Sequence, residues 1–305
     1  MVNEYHNPVM LQECLEGLAI KANGIYVDVT FGGGGHSKAI LKLLKDGQLF
    51  SFDQDEDALN NAPDDDRFTF VHQNFRYMKK WLRFHGVTQV DGVLADLGIS
   101  SHQIDVPERG FSTRYDAPLD MRMDSASMLS AEAVVNEYPE NELHKIFGMY
   151  GEIKNAKSLA RAIVTARLNG WIQTTFELIE VMKPLASRGK EFKYYAQAFQ
   201  AIRIEVNGEL DVLKEFLEQS SEVIKPGGRL VVMSYHSLED RLVKNFIQKG
   251  KFSGELEKDF YGNPLKPFEA VTRKAVVASA EEIENNSRAR SAKLRVAERR
   301  KDESN

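Results

Sequence analysis

Four consecutive glycines, Gly32 to Gly35, follow a short apolar run at residues 25–29 and lead into His36-Ser37-Lys38-Ala39-Ile40-Leu41. Residues without a Cβ atom weaken the interior of a helix or strand. They are the default where a chain turns tightly or lets a ligand touch its backbone. Residues 24–41 therefore read as a strand, a glycine turn and a helix. The alternation continues downstream: further strands are expected at 48–53, 67–71 and 90–96, with helices at 37–44, 56–62 and 77–84. Strands alternating with helices imply βαβ units and a parallel sheet.

Past Asp96 the pattern changes. Residues 107–206 carry no strand signal and read as helices at 130–137, 140–149, 153–168, 175–185 and 195–206, punctuated by Pro139, Gly151, Gly170 and Gly189. Sheet signals then return. A helix at 209–224 is stopped by Lys225-Pro226-Gly227-Gly228, a buried strand follows at 229–235, and another is expected at 270–278. The expected organisation is one discontinuous α/β domain, residues 1–106 and 207–305, interrupted by an all-helical domain at 107–206. The wholly polar end, 299–305, is expected to be loose.

Composition narrows the class. The 305-residue chain is 42% hydrophobic and 28% charged, ordinary for a soluble globular protein. Its apolar runs are shorter than a membrane span, and its first residues carry no basic and apolar secretory signature. With a single cysteine, Cys14, no disulfide can form within the chain, so a reducing, cytoplasmic setting is expected. The net charge is −5, but charge is segregated: residues 1–105 hold nine Lys/Arg and fifteen Asp/Glu, residues 154–203 hold nine and three, and residues 287–300 hold six and one. Basic segments of this kind suit phosphate contacts, although solvated helix faces would look the same. The seven histidines are scattered, with no metal-ligand spacing, so no metal is expected.

A glycine turn at a helix N-terminus is a cofactor site in many α/β proteins. Here the second strand ends in Asp53, 18 residues beyond Gly35, close to the spacing at which an acidic side chain meets a ribose diol. Together these indicate an adenosine-type cofactor, with NAD and S-adenosylmethionine both open. Asp28-Val29-Thr30-Phe31-Gly32-Gly33-Gly34 resembles the glycine turn of nucleic-acid amino-methyltransferases. Val223-Ile-Lys-Pro-Gly-Gly-Arg-Leu-Val-Val232 resembles a late helix–turn–strand of many S-adenosylmethionine-dependent enzymes.

Further stretches, in order along nearly the whole chain, make the likeness specific. They are His6-Asn-Pro-Val-Met10, Thr30-Phe-Gly-Gly-Gly-Gly-His36, Asp96-Leu-Gly-Ile-Ser-Ser-His-Gln103, Arg109-Gly-Phe-Ser112, Pro118-Leu-Asp-Met-Arg-Met-Asp124, Ala160-Arg-Ala-Ile-Val164, Phe199-Gln-Ala-Ile-Arg-Ile-Glu-Val-Asn-Gly-Glu-Leu210, Tyr235-His-Ser-Leu-Glu-Asp-Arg241 and Arg288-Ala-Arg-Ser-Ala-Lys-Leu-Arg295. On these the chain resembles the bacterial 16S ribosomal RNA N4-cytosine methyltransferase family. The resemblance implies a Rossmann-like S-adenosylmethionine-dependent methyltransferase sheet with an inserted helical RNA-recognition domain. It implies methyl transfer to N4 of a decoding-centre cytosine in 16S ribosomal RNA within a small subunit at or near full assembly. No membrane partner is implied, and a homodimer stays open beside a monomer. Two departures stand out: Gly33 occupies a position where arginine or alanine is common, and the segment from Phe246 to Thr272 is shorter than in some relatives.

The candidate site residues follow. Gly34, Gly35 and His36 are expected to line the methionine end of the cofactor through backbone N–H groups, with His36 structural rather than a base. Asp53 is expected on the ribose. Phe75, read as ending the third strand, is expected to flank adenine, and Gln103, read as part of a loop after the fourth strand, to contact the cofactor; the resemblance decides both. Ser237 with Asp240 reads equally well as a helix cap or as a pocket wall. Asp96, at the end of the fourth strand, stands where amino-methyltransferases carry Asp/Asn/Ser-Pro-Pro-Tyr. It is the candidate acceptor for the amine proton, although the prolines and the aromatic are missing. Methylation at C5 of a pyrimidine needs a cysteine nucleophile, and Cys14 lies in an N-terminal amphipathic helix, which favours direct transfer to nitrogen. The competing readings are a DNA or protein N-methyltransferase, an NAD-dependent dehydrogenase and a non-catalytic cofactor-binding module.

Overall fold

A computed structural model describes residues 8–301. His6 and Asn7 of the first motif and residues 302–305 of the polar end lie outside the described residues. The chain divides into two compact units, one holding residues up to Gly98 together with those from Leu210, the other holding Ile99–Glu209.

The first unit is built on seven strands in the order β3-β2-β1-β4-β5-β7-β6. They are β1 (Ile25–Asp28), β2 (Gln48–Asp53), β3 (Phe68–His72), β4 (Val90–Asp96), β5 (Ile224–Ser234), β6 (Phe268–Ala270) and β7 (Lys293–Arg299). The first five strands are mutually parallel, and β7 runs antiparallel between β5 and β6. Alternate side chains feed two layers. Val27, Phe50, Phe52, Val93 and Val232 pack with Leu82, Phe216 and Val243, from α3 (Met78–Phe84), α10 (Glu209–Val223) and α11 (Ser237–Lys249). Tyr26, Leu49, Leu94, Val231 and Met233 pack on the other face with Leu18 and Ile40, from α1 (Leu11–Leu18) and α2 (Gly35–Leu43). Burial on both faces is why these strands read as continuous apolar runs. The chain lays down β1, β2 and β3 in one direction and returns to place β4 on the other side of β1. That reversal opens a crevice at the carboxyl ends of β1 and β4, the place where open α/β sheets bind ligands.

Four sequence expectations about the fold need correction. The strand expected at 270–278 is only Phe268–Ala270, with Val276 making an isolated bridge to Leu294. Lys225-Pro-Gly-Gly228 does not separate the helix from the strand: β5 already begins at Ile224, and its register against β4 shifts between Val90 and Gly92. The basic segment 287–300 is not a solvated face. It contains β7, whose Leu294, Val296 and Ala297 are buried while Arg295 pairs with Asp240 and Glu298 with Arg229. In addition, residues 56–61 form a 3-10 turn rather than an α-helix.

The second unit is helical: α4 (Ser101–Asp105), α5 (Ala131–Glu137), α6 (Glu140–Met149), α7 (Ala156–Ala166), α8 (Thr175–Met182) and α9 (Glu191–Asn207). Leu143, Phe147, Leu159, Ile163, Leu178 and Ile202 are among its buried core. Several quoted motifs act here as fasteners. Arg109 donates to the carbonyls of Arg122 and Met123. Asn207, at the end of α9, donates to the carbonyls of Met121 and Arg203 and accepts from the Met123 N–H. Met121 is held in the left-handed region, φ 58°, by this clamp and by its own N–H on the Arg109 carbonyl. Among the described residues no helix is long and apolar enough to cross a membrane.

Asn207→Ala removes both donors and the acceptor at once and leaves the strained turn at Met121 unsupported. It is expected to cost about 1–3 kcal/mol of folding free energy. An unchanged denaturation midpoint would mean that the turn holds itself.

Candidate functional site

The glycine turn follows β1. Asp28 is buried at the end of that strand. One of its carboxylate oxygens accepts from the Thr30 N–H (3.1 Å) and the other from the Ser37 hydroxyl (2.6 Å), which also meets Ser51 (2.8 Å). The Phe31 N–H reaches the Phe52 carbonyl at the end of β2. Gly32 and Gly34 lie in the left-handed region at φ 50° and 74°, where a side chain is strained. A Cβ on Gly35 would sit 2.5 Å from Pro8, so that glycine answers to the chain itself. Gly33 is exposed and outside the left-handed region.

Gly34 caps α2, so the first N–H groups of that helix have no acceptor within it and the positive end of its dipole points at the crevice. Asp53 ends β2 beside this turn. Its Oδ2 accepts from the Gly32 N–H (2.7 Å) and its Oδ1 from the Asp55 N–H (2.9 Å). Burial pushes its carboxyl up to about 6 against those two bonds. Asp53 thus ties the glycine turn to β2 and keeps lone pairs over for further donors.

Asp96 ends β4 at the switch point. Its N–H donates to Thr30 Oγ1 (2.7 Å), which fixes it against the glycine turn. The Tyr235 hydroxyl donates to Asp96 Oδ1 at 2.7 Å, and His36 Nδ1 stands 3.8 Å from Oδ2. His36 is buried, and its Nε2 donates to the Val9 carbonyl at 3.1 Å, since a carbonyl can only accept. Burial pushes the Asp96 carboxyl up to about 6 against the opposing pull of His36 and of the Tyr235 hydrogen bond. Tyr235 itself is raised, first by burial and then by the Asp96 charge. Tyr235 was not a candidate in the sequence. Its signal was available: it follows β5, which neighbours β4, so the two strand ends had to meet.

Other expected residues sit differently. Phe75 does not end β3; it opens the 3-10 turn Phe75–Tyr77 beyond it, with its ring edge-on to Phe216 at 5.4 Å. Gln103 lies in helix α4 of the second unit rather than in a loop, and its Oε1 accepts from the Ser100 N–H as half of a capping box. The cap of α11 is His236, with buried Glu239 accepting from the Tyr235 and His236 N–H groups, instead of Ser237 with Asp240. Asp240 is held by Arg295 of β7 at 2.7 Å.

The sheet unit therefore gathers at one edge a helix N-terminus, an acidic strand end beside it and a second carboxylate held by a tyrosine. A helix N-terminus suits a carboxylate, and Asp53 suits a ribose diol. This set fits an amino-acid nucleoside. It also shapes stability. Both aspartates have folded-state values above the ordinary 3.8, so the fold favours their protonated forms. That contribution is present below about pH 4 and lost as pH rises through about 6. Asp96→Asn is accordingly expected to melt about 2–6 °C above wild type at pH 8 and level with it at pH 4. A variant that melts no higher at pH 8 would show that the carboxylate is not dehydrated.

Residues 3–300 match the MraW methylase family. A protein of Cytophaga hutchinsonii named ribosomal RNA small subunit methyltransferase H is 63% identical over 297 residues, covering 97% of this chain and 99% of its own. A protein of the same name from Flavobacterium johnsoniae is 62% identical, covering 97% and 98%. A solved ribosomal RNA methylase from Streptococcus thermophilus covers 95% of this chain and 94% of its own at 12% identity and a TM-score of 0.40, too distant to bear on function. The chain belongs to the MraW methylase family, and S-adenosylmethionine is its cofactor.

Proposed function

We propose that this methylase transfers a methyl group to the exocyclic N4 amine of a decoding-centre cytosine of 16S ribosomal RNA, position 1402 in the usual numbering. The names of its relatives support the RNA substrate. The observation that carries the choice of an amine is the Asp96 carboxylate, held at the switch point by Tyr235.

S-adenosylmethionine, when bound, supplies a methyl group already activated on a sulfonium. Gly34, Gly35 and the N–H groups opening α2 would hold its methionine end, and Asp53 its ribose. Phe75 and Gln103 are retained as proposed cofactor contacts. The amine is the poor reactant, because its lone pair is delocalised into the ring. A carboxylate that accepts a hydrogen bond from N4–H favours the tetrahedral nitrogen, and a positioned group of this kind contributes ~10²–10⁴-fold. Asp96 can do this only when ionised, so turnover is expected to rise with pH through about 6 and then level off. Tyr235 is a positioning residue: by occupying Oδ1 it directs Oδ2 to a substrate. Attack through a cysteine, as at C5, finds no support, since Cys14 is fully buried and burial holds its thiol well above the ordinary range. The target base has to be unstacked to reach such a crevice.

The helical unit is proposed to dock the RNA, on the strength of its basic segment at 154–203. Lys154 and Arg161 are exposed there, whereas Arg167 donates to the Val135 carbonyl and serves the fold.

Mass-spectrometric mapping of 16S ribosomal RNA after incubation with enzyme and isotopically labelled S-adenosylmethionine is expected to place one label on cytosine N4; label on carbon, on DNA or on protein would overturn the reading. Asp53→Ala is expected to weaken cofactor binding about 10–100-fold by calorimetric titration, the loss of a charge-assisted hydrogen bond. Reversing charge at Lys154 and Arg161 together is expected to raise KM for RNA and flatten its salt dependence while cofactor affinity holds. Equal loss of both would indicate misfolding.

A further inference from the structure

After α11 the sheet unit projects a hairpin, residues 250–267, whose tip is Phe260-Tyr261-Gly262. Apolar rings at a loop tip are usually folded back, yet Phe260 is 97% and Tyr261 86% exposed, with centroids 5.6 Å apart and planes at 87°. The tip is braced. Asp259 Oδ1 accepts from the N–H groups of Tyr261 (2.9 Å) and Asn263 (2.8 Å), and its Oδ2 from the Asn263 side chain (3.0 Å). Those bonds, the Asn263 backbone first, hold the Asp259 carboxyl below its usual range. Gly262 takes the left-handed position at φ 88°. Lower down, Lys258 bridges to Pro264, and Leu265 N–H donates to the Glu257 carbonyl. Arg300 clamps the stem through the Pro264 and Pro267 carbonyls. These bonds fix the backbone of the tip, and both rings stand exposed on it.

The surroundings are positive. Residues 249–269 with 299–301 carry seven Lys/Arg against four Asp/Glu; Lys251 pairs with Glu257 and Lys266 with Glu269, and Asp259 is turned into the tip. Flat rings among cations are what an unpaired nucleic-acid strand binds, stacking its bases while its phosphates meet the charges. The place in the fold is equally informative. The hairpin enters β6 at Phe268, which pairs with Arg299, one step beyond the Arg229–Glu298 pair. Asp96 and Tyr235 lie at the other edge, beyond the Ser234 end of β5. Five strand residues separate these edges, roughly 17 Å at ~3.3 Å per residue. The hairpin is thus rooted at the edge of the sheet opposite the one that carries Asp96 and Tyr235.

We infer that Phe260 and Tyr261 form a second RNA-binding point, which stacks on unpaired nucleotides of the substrate away from the methylated base. This rests on the ribosomal RNA reading above. A tether of this kind raises the local concentration of the target without touching the transition state, so it moves KM and leaves kcat.

The test uses the full chain, with small ribosomal subunits lacking the modification as substrate and a twelve-nucleotide single-stranded RNA as probe. Phe260→Ala with Tyr261→Ala is expected to raise KM for subunits about 10–100-fold, from the loss of one or two stacking contacts, with kcat, S-adenosylmethionine affinity and melting temperature unchanged. The fluorescence of Phe260→Trp is expected to be quenched by the single strand and far less by a duplex of equal length. If wild type methylates subunits and the double variant keeps its KM, the inference is overturned. A raised KM without quenching by RNA overturns it in favour of a ribosomal-protein contact. If wild type leaves ribosomal RNA unmethylated, the activity reading itself has failed, and absence of quenching would remove the second point with it.

Discussion

A carboxylate in a half-dehydrated crevice must be held, or it takes up a proton, and Asp96 is held from three sides. Thr30 receives its N–H, Tyr235 donates to one oxygen, and His36 faces the other from 3.8 Å. Each of these comes from a different segment, the glycine turn, the end of β5 and the first turn of α2. Burial raises the Asp96 value to about 6 even against the tyrosine bond and the histidine, which both lower it. The result is a group ionised near neutrality yet poorly solvated, which makes it a stronger acceptor than a carboxylate in water. The same dehydration makes the site a liability for folding, as functional sites commonly are.

The glycine run meets two demands at once. Gly32 and Gly34 permit a turn that brings α2 to the crevice, and Asp53 receives one of its N–H groups, so the second strand and the turn move as one body. At Gly35 a Cβ would meet Pro8 of the chain itself, while Gly33 is exposed and outside the left-handed region. At least one of the four glycines thus has a reason within the chain itself. A sequence cannot separate the two causes, because an internal neighbour such as Pro8 and a bound molecule exclude Cβ in the same way.

The parallel strands were legible because burial on both faces writes them as apolar runs; β2 and β4 have the bounds expected of them. β7 was hidden for the opposite reason. Its Lys293, Arg295 and Arg299 present a charge count that masks the alternation of Leu294 and Val296. Asp240 illustrates the consequence: its partner is Arg295, on a strand the sequence did not show, so it looked available for a cap. Asp53 and Asp96 were visible because strand ends in such sheets face ligands. Tyr235 was missed because its meaning lies in a hydrogen bond to a residue 139 positions away; its place just after a buried strand was legible, but its partner Asp96 follows only from the strand order. The helical motifs, from Arg109 to Asn207, were recognisable as signatures while their work, the clamping of the Met121 turn, was not.

The central claim is that Asp96 accepts the amine proton. Single-turnover methylation by Asp96→Ala at saturating S-adenosylmethionine, measured from pH 5 to 8, tests it most directly. The expected result is a rate ~10²–10⁴-fold below wild type that no longer rises through pH 6. A rate near wild type with the same rise would contradict it and leave Asp96 as a wall of the crevice.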